Sequence, residues 1–240
     1  MPNTYYEAGE RRAAKVHNLF SRIARRYDLI NDLQSFGLHR RWKRKVVELA
    51  KISVGQRVLD VCCGTGDLVF GFARVGATVV GLDFNEQMLT VAERKFALPH
   101  AFRIPQLSRG DAMRLPFTDG TFDAVTVGYG LRNLANWETG LNEMQRVATP
   151  GGRVVVLEFG KPANALWRCI YFSYLRLFVP CLGLLCAGSA SAYGYILESL
   201  KHYPGQEGVA ARMREMGFAN VGVVNLLGGA MSVNYGEREA

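Results

Sequence analysis

Three acids, one cation and a few glycines carry the chemistry open to this chain. Asp60-Val61-Cys62-Cys63-Gly64-Thr65-Gly66-Asp67 follows the apolar pair Val58-Leu59. An apolar run into an acid, a small-residue turn and the helix-like stretch Asp67 to Arg74 read as strand, tight loop and helix. Glycines allow close backbone approach and φ values that other residues avoid. The helix start offers unpaired N–H groups that suit a carboxylate or a phosphate. A dinucleotide loop would want Gly-x-Gly-x-x-Gly, but the third position here is Val69. Asp60 stands instead at the strand end, four residues before Gly64. An acid there suits a ligand ammonium, directly or through water, and repels a pyrophosphate. S-adenosylmethionine has that ammonium and no pyrophosphate. The alternative is an ordinary strand–turn–helix of some α/β domain.

Other candidates recur after later strands. Asp83 closes Thr78–Leu82 and can accept both hydroxyls of a ribose, or else cap the helix that starts near Glu86. Asp111, in Gly110-Asp111-Ala112, can take an adenine amino group or simply shape a turn. In Gly128-Tyr129-Gly130-Leu131-Arg132-Asn133 the glycines permit close approach, and Arg132 and Asn133 project a cation and an amide. Arg132 read alone is also an ordinary surface charge.

The elements that must hold these residues alternate from Gln56 onward, as in a parallel sheet. Strands are expected at Arg57–Val61, Thr78–Leu82, about Ala101–Gln106, Phe122–Val127 and Arg153–Leu157, the last after a Pro150-Gly151-Gly152 turn. Helices are expected near Glu86–Lys95 and Trp137–Val147. Helix Val209–Met216 and strands Asn220–Asn225 and Ala230–Asn234 close the chain. The fold class is therefore α/β: a Rossmann-like, seven-stranded, mostly parallel sheet with an antiparallel C-terminal hairpin. In such sheets ligands lie beyond the carboxyl ends of the strands, where the candidates fall.

Before the sheet, Glu10 to Asn31 has helical apolar spacing, Tyr27 to Arg44 resembles a loop or short helices, and Arg40 to Ala50 is a basic helix. Residues 1–52 are read as a helical lid, and 53–240 as the main unit with an apolar insertion at about 163–200. Residues 1–51 hold twelve Lys/Arg against five Asp/Glu, +7 of the net +8. That concentration suggests an anionic membrane surface or nucleic acid, or a solvated helix face. No aromatic–basic RNA platform is apparent, so nucleic acid is not expected as a partner. The run Ala163 to Ala187 is interrupted by Arg168, Arg176 and Pro180, which excludes a spanning helix. It suits an interfacial helix or a tail tunnel, the alternatives being a buried lid or a homodimer interface. Cys62, Cys63, Cys169, Cys181 and Cys186 contain no Cys-x-x-Cys spacing, so reduced thiols and no metal are expected.

Larger blocks identify a family resemblance. They are Phe20-x-x-Ile23-Ala24-x-x-Tyr27-Asp28-x-x-Asn31-Asp32, Ser35-Phe36-Gly37-Leu38-His39-Arg40-x-Trp42-Lys43-Arg44, Gly81-Leu82-Asp83-Phe84, the Gly128–Asn133 loop and Leu157-Glu158-Phe159-x-Lys161-Pro162. The chain resembles the C-methyltransferases of ubiquinone and menaquinone biosynthesis over nearly its whole length. The resemblance implies S-adenosylmethionine held at Asp60, Gly64, Thr65, Gly66, Asp83, Phe84, Asp111, Ala112 and Gly128. It implies a prenylated quinol, most simply demethylmenaquinol, held by Tyr27, Arg132 and Asn133, with an enzyme in the cytoplasm at the inner membrane face. One departure is Asn234, where relatives usually carry histidine, and it is assigned no role. For such a reaction Arg132 would stabilise a phenolate and, being too basic to act as a base itself, would rely on water positioned by Asn133.

Overall fold

The computed structural model describes residues 10–97, 104–180 and 191–239. Three helices precede the sheet: α1 (Glu10–Ile23), α2 (Tyr27–Ser35) and α3 (His39–Leu49). A 3-10 turn at Ala24–Arg26 breaks what the apolar spacing suggested was one helix to Asn31. The stretch read as loop-like is thus mostly helical. It bends once, at Phe36 and Gly37, where φ is +50° and +74°.

The sheet has seven strands in the order β3-β2-β1-β4-β5-β7-β6. These are β1 (Arg57–Val61), β2 (Thr78–Asp83), β3 (Gln106–Arg109), β4 (Phe122–Gly128), β5 (Ala148–Phe159), β6 (Phe218–Leu226) and β7 (Met231–Arg238). β1 to β5 are parallel, and β7 runs antiparallel to both β5 and β6. Helices α4 (Asp67–Arg74), α5 (Glu86–Phe96), α6 (Trp137–Val147), α7 (Ala165–Ser173), α8 (Ser191–His202) and α9 (Gly205–Glu215) complete the described elements. A π-turn, Tyr174–Phe178, extends α7.

Strand alternation builds two cores. Leu59, Val125, Val154 and Val156 face one layer, shared with Leu141, Met144 and Met213. Val58, Ala124, Val155 and Leu157 face the other, shared with Val46 and Phe72. Period-two side chains on buried parallel strands require covering on both sides.

Two strand expectations need correction. β3 overlaps the expected Ala101–Gln106 only at Gln106, and 98–103 lie outside the described residues. This edge strand is short and polar, Gln-Leu-Ser-Arg, so no apolar alternation marks it. The Pro150-Gly151-Gly152 turn is a bulge inside β5: pairing with β4 jumps from Phe122↔Ala148 to Ala124↔Arg153, with Gly151 at φ +76°. A bulge re-aims a strand without ending it.

Candidate functional site

Two cavities meet beneath the N-terminal helices. The first, about 150 Å³, lies at the carboxyl ends of β1, β2 and β4; its wall includes Gly64, Asp83, Phe84, Asp111, Ala112, Gly128 and Asn133. The second, about 260 Å³, is lined by α1, α2, α3 and α7, with Arg132 and Phe159 at its sheet end. Phe20, Tyr27 and Tyr129 belong to both walls and mark the junction.

The loop after β1 shapes the first cavity. Gly64, at φ +56°, donates its N–H to Asp83 Oδ2 at 2.8 Å. Asp83 Oδ1 accepts from Asn85 N at 2.8 Å. The cap of α5 is Asn85 itself, which accepts from Met88 N, so Asp83 faces the cavity and the capping alternative falls. Asp111 Oδ1 accepts from Met113 N at 2.8 Å, shaping a turn, yet the residue remains on the wall. Phe84 packs edge-on against His17 at 5.0 Å.

Other expected contacts lie one layer back. Asp60 is 1% exposed and accepts from Thr126 Oγ1 at 2.8 Å. Burial raises its carboxyl to about 7. It does not line the cavity, so any influence on a ligand ammonium acts through the field. Thr65 is buried and donates from Oγ1 to Asp28 Oδ1 at 2.6 Å. Gly66, at φ +83°, leaves no room for a Cβ, which would lie 2.8 Å from Phe96 Cζ. Its glycine serves the turn and the packing of α5. At Gly128 a Cβ would meet Leu68 Cδ1 at 3.0 Å, so helix packing as well as ligand approach constrains it.

Arg132 and Asn133 are neighbours that face different cavities. Both fasten to one carbonyl: Arg132 Nη1 donates to Tyr129 O at 2.9 Å, and Asn133 Nδ2 donates to it at 3.0 Å. Arg132 Nη1 also donates to Glu158 Oε1 at 2.5 Å, and the guanidinium lies 4.5 Å from the Phe159 ring centre. Arg132 and Glu158 are 5% and 1% exposed. A buried charge at this depth requires such a partner. The alternative of a surface charge is overturned, and Glu158, left without a role by the sequence reading, holds the cation. Tyr129, also missed, takes φ +63° to pass between the cavities. For a non-glycine residue that conformation is costly and clusters at functional sites. Burial raises Tyr27 to about 12, so it stays protonated at neutral pH.

An ion network ties α2 and α3 to α4 and α5. Lys95 pairs with Asp28 at 2.5 Å and with Asp67 at 2.9 Å, and Lys43 pairs with Asp67 at 2.6 Å. Burial pushes the Asp67 carboxyl up, but the two lysines outweigh it and hold it low.

The apolar cavity opens among exposed apolar side chains. Phe36, 76% exposed, and Ile170 and Leu227 lie on its wall, with exposed Leu166, Leu177 and Phe178 on or beside α7. Among the described residues no helix is long and apolar enough to cross a membrane. Cys62, Cys63 and Cys169 are free thiols, and Cys181 and Cys186 lie outside the described residues.

A glycine-bearing loop after β1, an acid ending β2 and an antiparallel last strand together define a class I methyltransferase fold. Solved structures agree. An S-adenosylmethionine-dependent methyltransferase of Aquifex aeolicus superposes with TM-score 0.59 at 18% identity, covering 82% of this chain and 89% of that one. Phosphoethanolamine N-methyltransferase 2 of Haemonchus contortus, in complex with S-adenosyl-L-methionine, gives 0.62 at 15% identity, covering 83% and 53%. The chain belongs to the ubiE/COQ5 methyltransferase family, whose model matches residues 8–238. It is 39% identical to a demethylmenaquinone methyltransferase of Halalkalibacterium halodurans, over 96% of this chain and 95% of the relative. It is 42% identical to the ubiquinone/menaquinone biosynthesis C-methyltransferase UbiE of Ectopseudomonas mendocina, over 94% and 89%.

Proposed function

We propose that this methyltransferase moves the methyl group of S-adenosylmethionine to a ring carbon of a prenylated quinol, converting demethylmenaquinol to menaquinol. The observation that carries the reading is the junction: a crevice bearing Asp83 and Asp111 and an apolar cavity share Phe20, Tyr27 and Tyr129. The crevice suits the donor, with Asp83 and Asp111 for hydroxyls and an amino group, and Leu82, Met88 and Leu134 for a flat base. When bound, that group supplies an activated methyl on a sulfonium. The three aromatic residues at the junction suit a nearby positive charge.

The chain's own residues do the rest. The apolar cavity sequesters the ring, and water exclusion strengthens every charge inside it. Arg132, fixed by Glu158 and the Tyr129 carbonyl, stabilises the developing phenolate, an effect worth about 3 kcal/mol for a well-placed donor. Tyr27 donates to a ring oxygen, and Asn133 orders the junction from the donor side. Holding ring carbon and methyl at attack distance supplies much of the remaining acceleration. Residues 1–52 act as the lid of the single unit 53–240.

The opening of the apolar cavity among Phe36, Ile170 and Leu227 suits an isoprenoid tail that reaches into a bilayer. Exposed Arg168 and Arg176 beside it would meet anionic headgroups, at about 1 kcal/mol per charge. The protein would then act from the cytoplasm at the inner membrane face, with neither nucleic acid nor a metal, and as a homodimer only if that face self-associates. Incubation with S-adenosylmethionine and either demethylmenaquinol or a prenylated benzoquinol, read by mass spectrometry, tests the reaction. A naphthoquinol one methyl heavier is expected, and no methylated ring of either kind would overturn it. Co-sedimentation with anionic vesicles tests the surface, with loss of binding to neutral vesicles expected.

A further inference from the structure

The block Asn31-Asp32…Ser35-Phe36-Gly37-Leu38-His39-Arg40 contains none of Tyr27, Arg132 and Asn133. The structure folds it into a compact polar group on the wall of the apolar cavity, where Asn31, Gln34, Ser35 and His39 all lie. His39 begins α3 and is 3% exposed. Its Nε2 lies 2.8 Å from Asp32 Oδ1. Arg40 grips the same carboxylate twice, Nε to Oδ1 at 2.8 Å and Nη2 to Oδ2 at 2.6 Å. The Arg40 fork holds the Asp32 carboxyl down at about 2, with His39 assisting against partial burial. Asp32 is therefore an ionised acceptor, which places the ring proton of neutral His39 on Nε2.

The other ring nitrogen is then a bare acceptor. Nδ1 is buried and meets no hydrogen-bond donor. Buried polar atoms without partners are rare and call for an explanation. Further buried atoms without partners belong to residues on the same wall: Gln34 Oε1, Tyr129 OH and Tyr171 OH. The wall of an otherwise apolar cavity thus holds polar side chains able to donate and to accept. A ring bearing two hydroxyl oxygens on a hydrocarbon frame matches it.

We propose that His39 is a catalytic residue: its Nδ1 accepts the proton of the quinol hydroxyl, with Asp32 and Arg40 as positioning residues behind it. This rests on the quinol reading of the cavity. In the step, the hydroxyl O–H bond breaks and its proton goes to Nδ1. The freed electron pair moves through the ring to the carbon that forms the new C–CH3 bond. The S–CH3 bond breaks with its pair left on sulfur. The ring carbon then releases its own proton to water, and His39 returns its proton to the oxygen, so one proton is released per turnover. The groups facing His39 favour the neutral base. Burial and the Lys43 cation lower it from the ordinary 6.5, against the pull of Asp32 and Asp67. Arg132, on the wall of the same cavity, keeps its part in stabilising the phenolate.

The test compares wild type with His39→Gln in the quinol methylation assay from pH 6 to 10, with calorimetry of S-adenosylhomocysteine binding. Wild-type turnover tests the quinol reading by itself. For the variant, turnover at pH 7 should fall by about 10²-fold or more, the usual contribution of a general base, with product affinity unchanged. The deficit should shrink as the pH approaches the phenol's own ionisation near about 10, where no base is needed. Turnover close to wild type, or a deficit constant across pH, would overturn the role. A second measurement needs no variant and no turnover: nitrogen NMR of the His39 ring in the wild-type protein. A neutral ring protonated on Nε2 at pH 7 is expected, with the Nδ1 signal moving when the methylated quinol is added. A doubly protonated ring at pH 7, or an Nδ1 indifferent to the quinol, would equally overturn it.

Discussion

The two cavities are built by opposite means. The first crevice is made by strand ends: Asp83 and Gly128 end β2 and β4, and Gly64 and Asp111 follow β1 and β3. The apolar cavity is made by helices: α1, α2, α3 and α7, separated by more than a hundred residues, converge on it. The sheet is rigid and its crevice geometry is set by register, so small displacements there are resisted. The helical side leans on the ion network of Asp28, Lys43, Asp67 and Lys95, pairs that keep partial contact with solvent. One half of the site is thus suited to hold a common donor, and the other to fit and release a bulky acceptor.

The strongest way to break this division is at Arg132, a buried charge where the apolar half meets the sheet. Arg132→Ala strands Glu158 as an uncompensated buried carboxylate, at a cost of about 3–5 kcal/mol. A marked fall in melting temperature is expected. Arg132→Lys keeps the charge but loses the planar fork. That variant should fold and bind S-adenosylhomocysteine normally by calorimetry, while single-turnover methylation falls by roughly 10²–10³-fold. Normal turnover in the lysine variant would remove the guanidinium from the chemistry.

The converse change is Asp83→Asn. One amide oxygen still accepts a backbone N–H, so the loop should persist, but charge-assisted contacts to the donor are lost. Such bonds contribute about 1.5–3 kcal/mol, so S-adenosylhomocysteine affinity should weaken by roughly 10–100-fold, with turnover at saturating donor nearly intact. A large fall in saturated turnover would show that the two halves are not separable in this way.

The same division explains what the sequence disclosed. Asp83, Asp111 and Gly128 were legible as crevice residues because strand, acid and glycine are adjacent in the chain and the fold puts strand ends on the crevice wall. β1, α4 and α6 match their expected bounds to the residue for the same local reasons. Asp60 and Thr65 carried the right residue types but lie one layer behind the wall, a distinction of depth that spacing does not encode. Glu158, Tyr129 and the Asp32–His39 pair have meaning only through partners across the fold: Glu158 lies twenty-six residues from Arg132. Polar residues in α2 gave no apolar periodicity, and that stretch read as a loop because its buried groups serve the cavity more than the core.

Asp60 offers a subtler test of depth. Burial raises its folded-state carboxyl from 3.8 to about 7, so the folded protein holds that proton more tightly than the unfolded chain. Its contribution to stability is complete below about pH 4 and is lost as the pH rises through about 7. Asp60→Asn removes the titration. In donor-free protein, denaturant melts should show the variant gaining on wild type as pH rises through this window, by at most about 1.4 kcal/mol per pH unit. A constant difference would mean that Asp60 is ionised throughout and belongs functionally to the crevice wall.

The smallest effect on turnover is expected at Asn234, where the family resemblance leads one to expect histidine. Asn234 lies mid-strand in β7, between Val156 of β5 and Val223 of β6. It is 1% exposed, and its Nδ2 donates to Gln206 O at 2.8 Å. Gln206 in turn clasps the backbone of Lys161, accepting from its N–H and donating to its carbonyl. Neither cavity wall includes Asn234. The residue therefore ties α9 to the sheet and touches no ligand. Asn234→Ala should cost about 1–3 kcal/mol, because a buried carbonyl loses its donor, with turnover per folded molecule and both ligand affinities unchanged. A selective loss of quinol turnover at normal stability would place a third wall on the apolar half, built from the last strand.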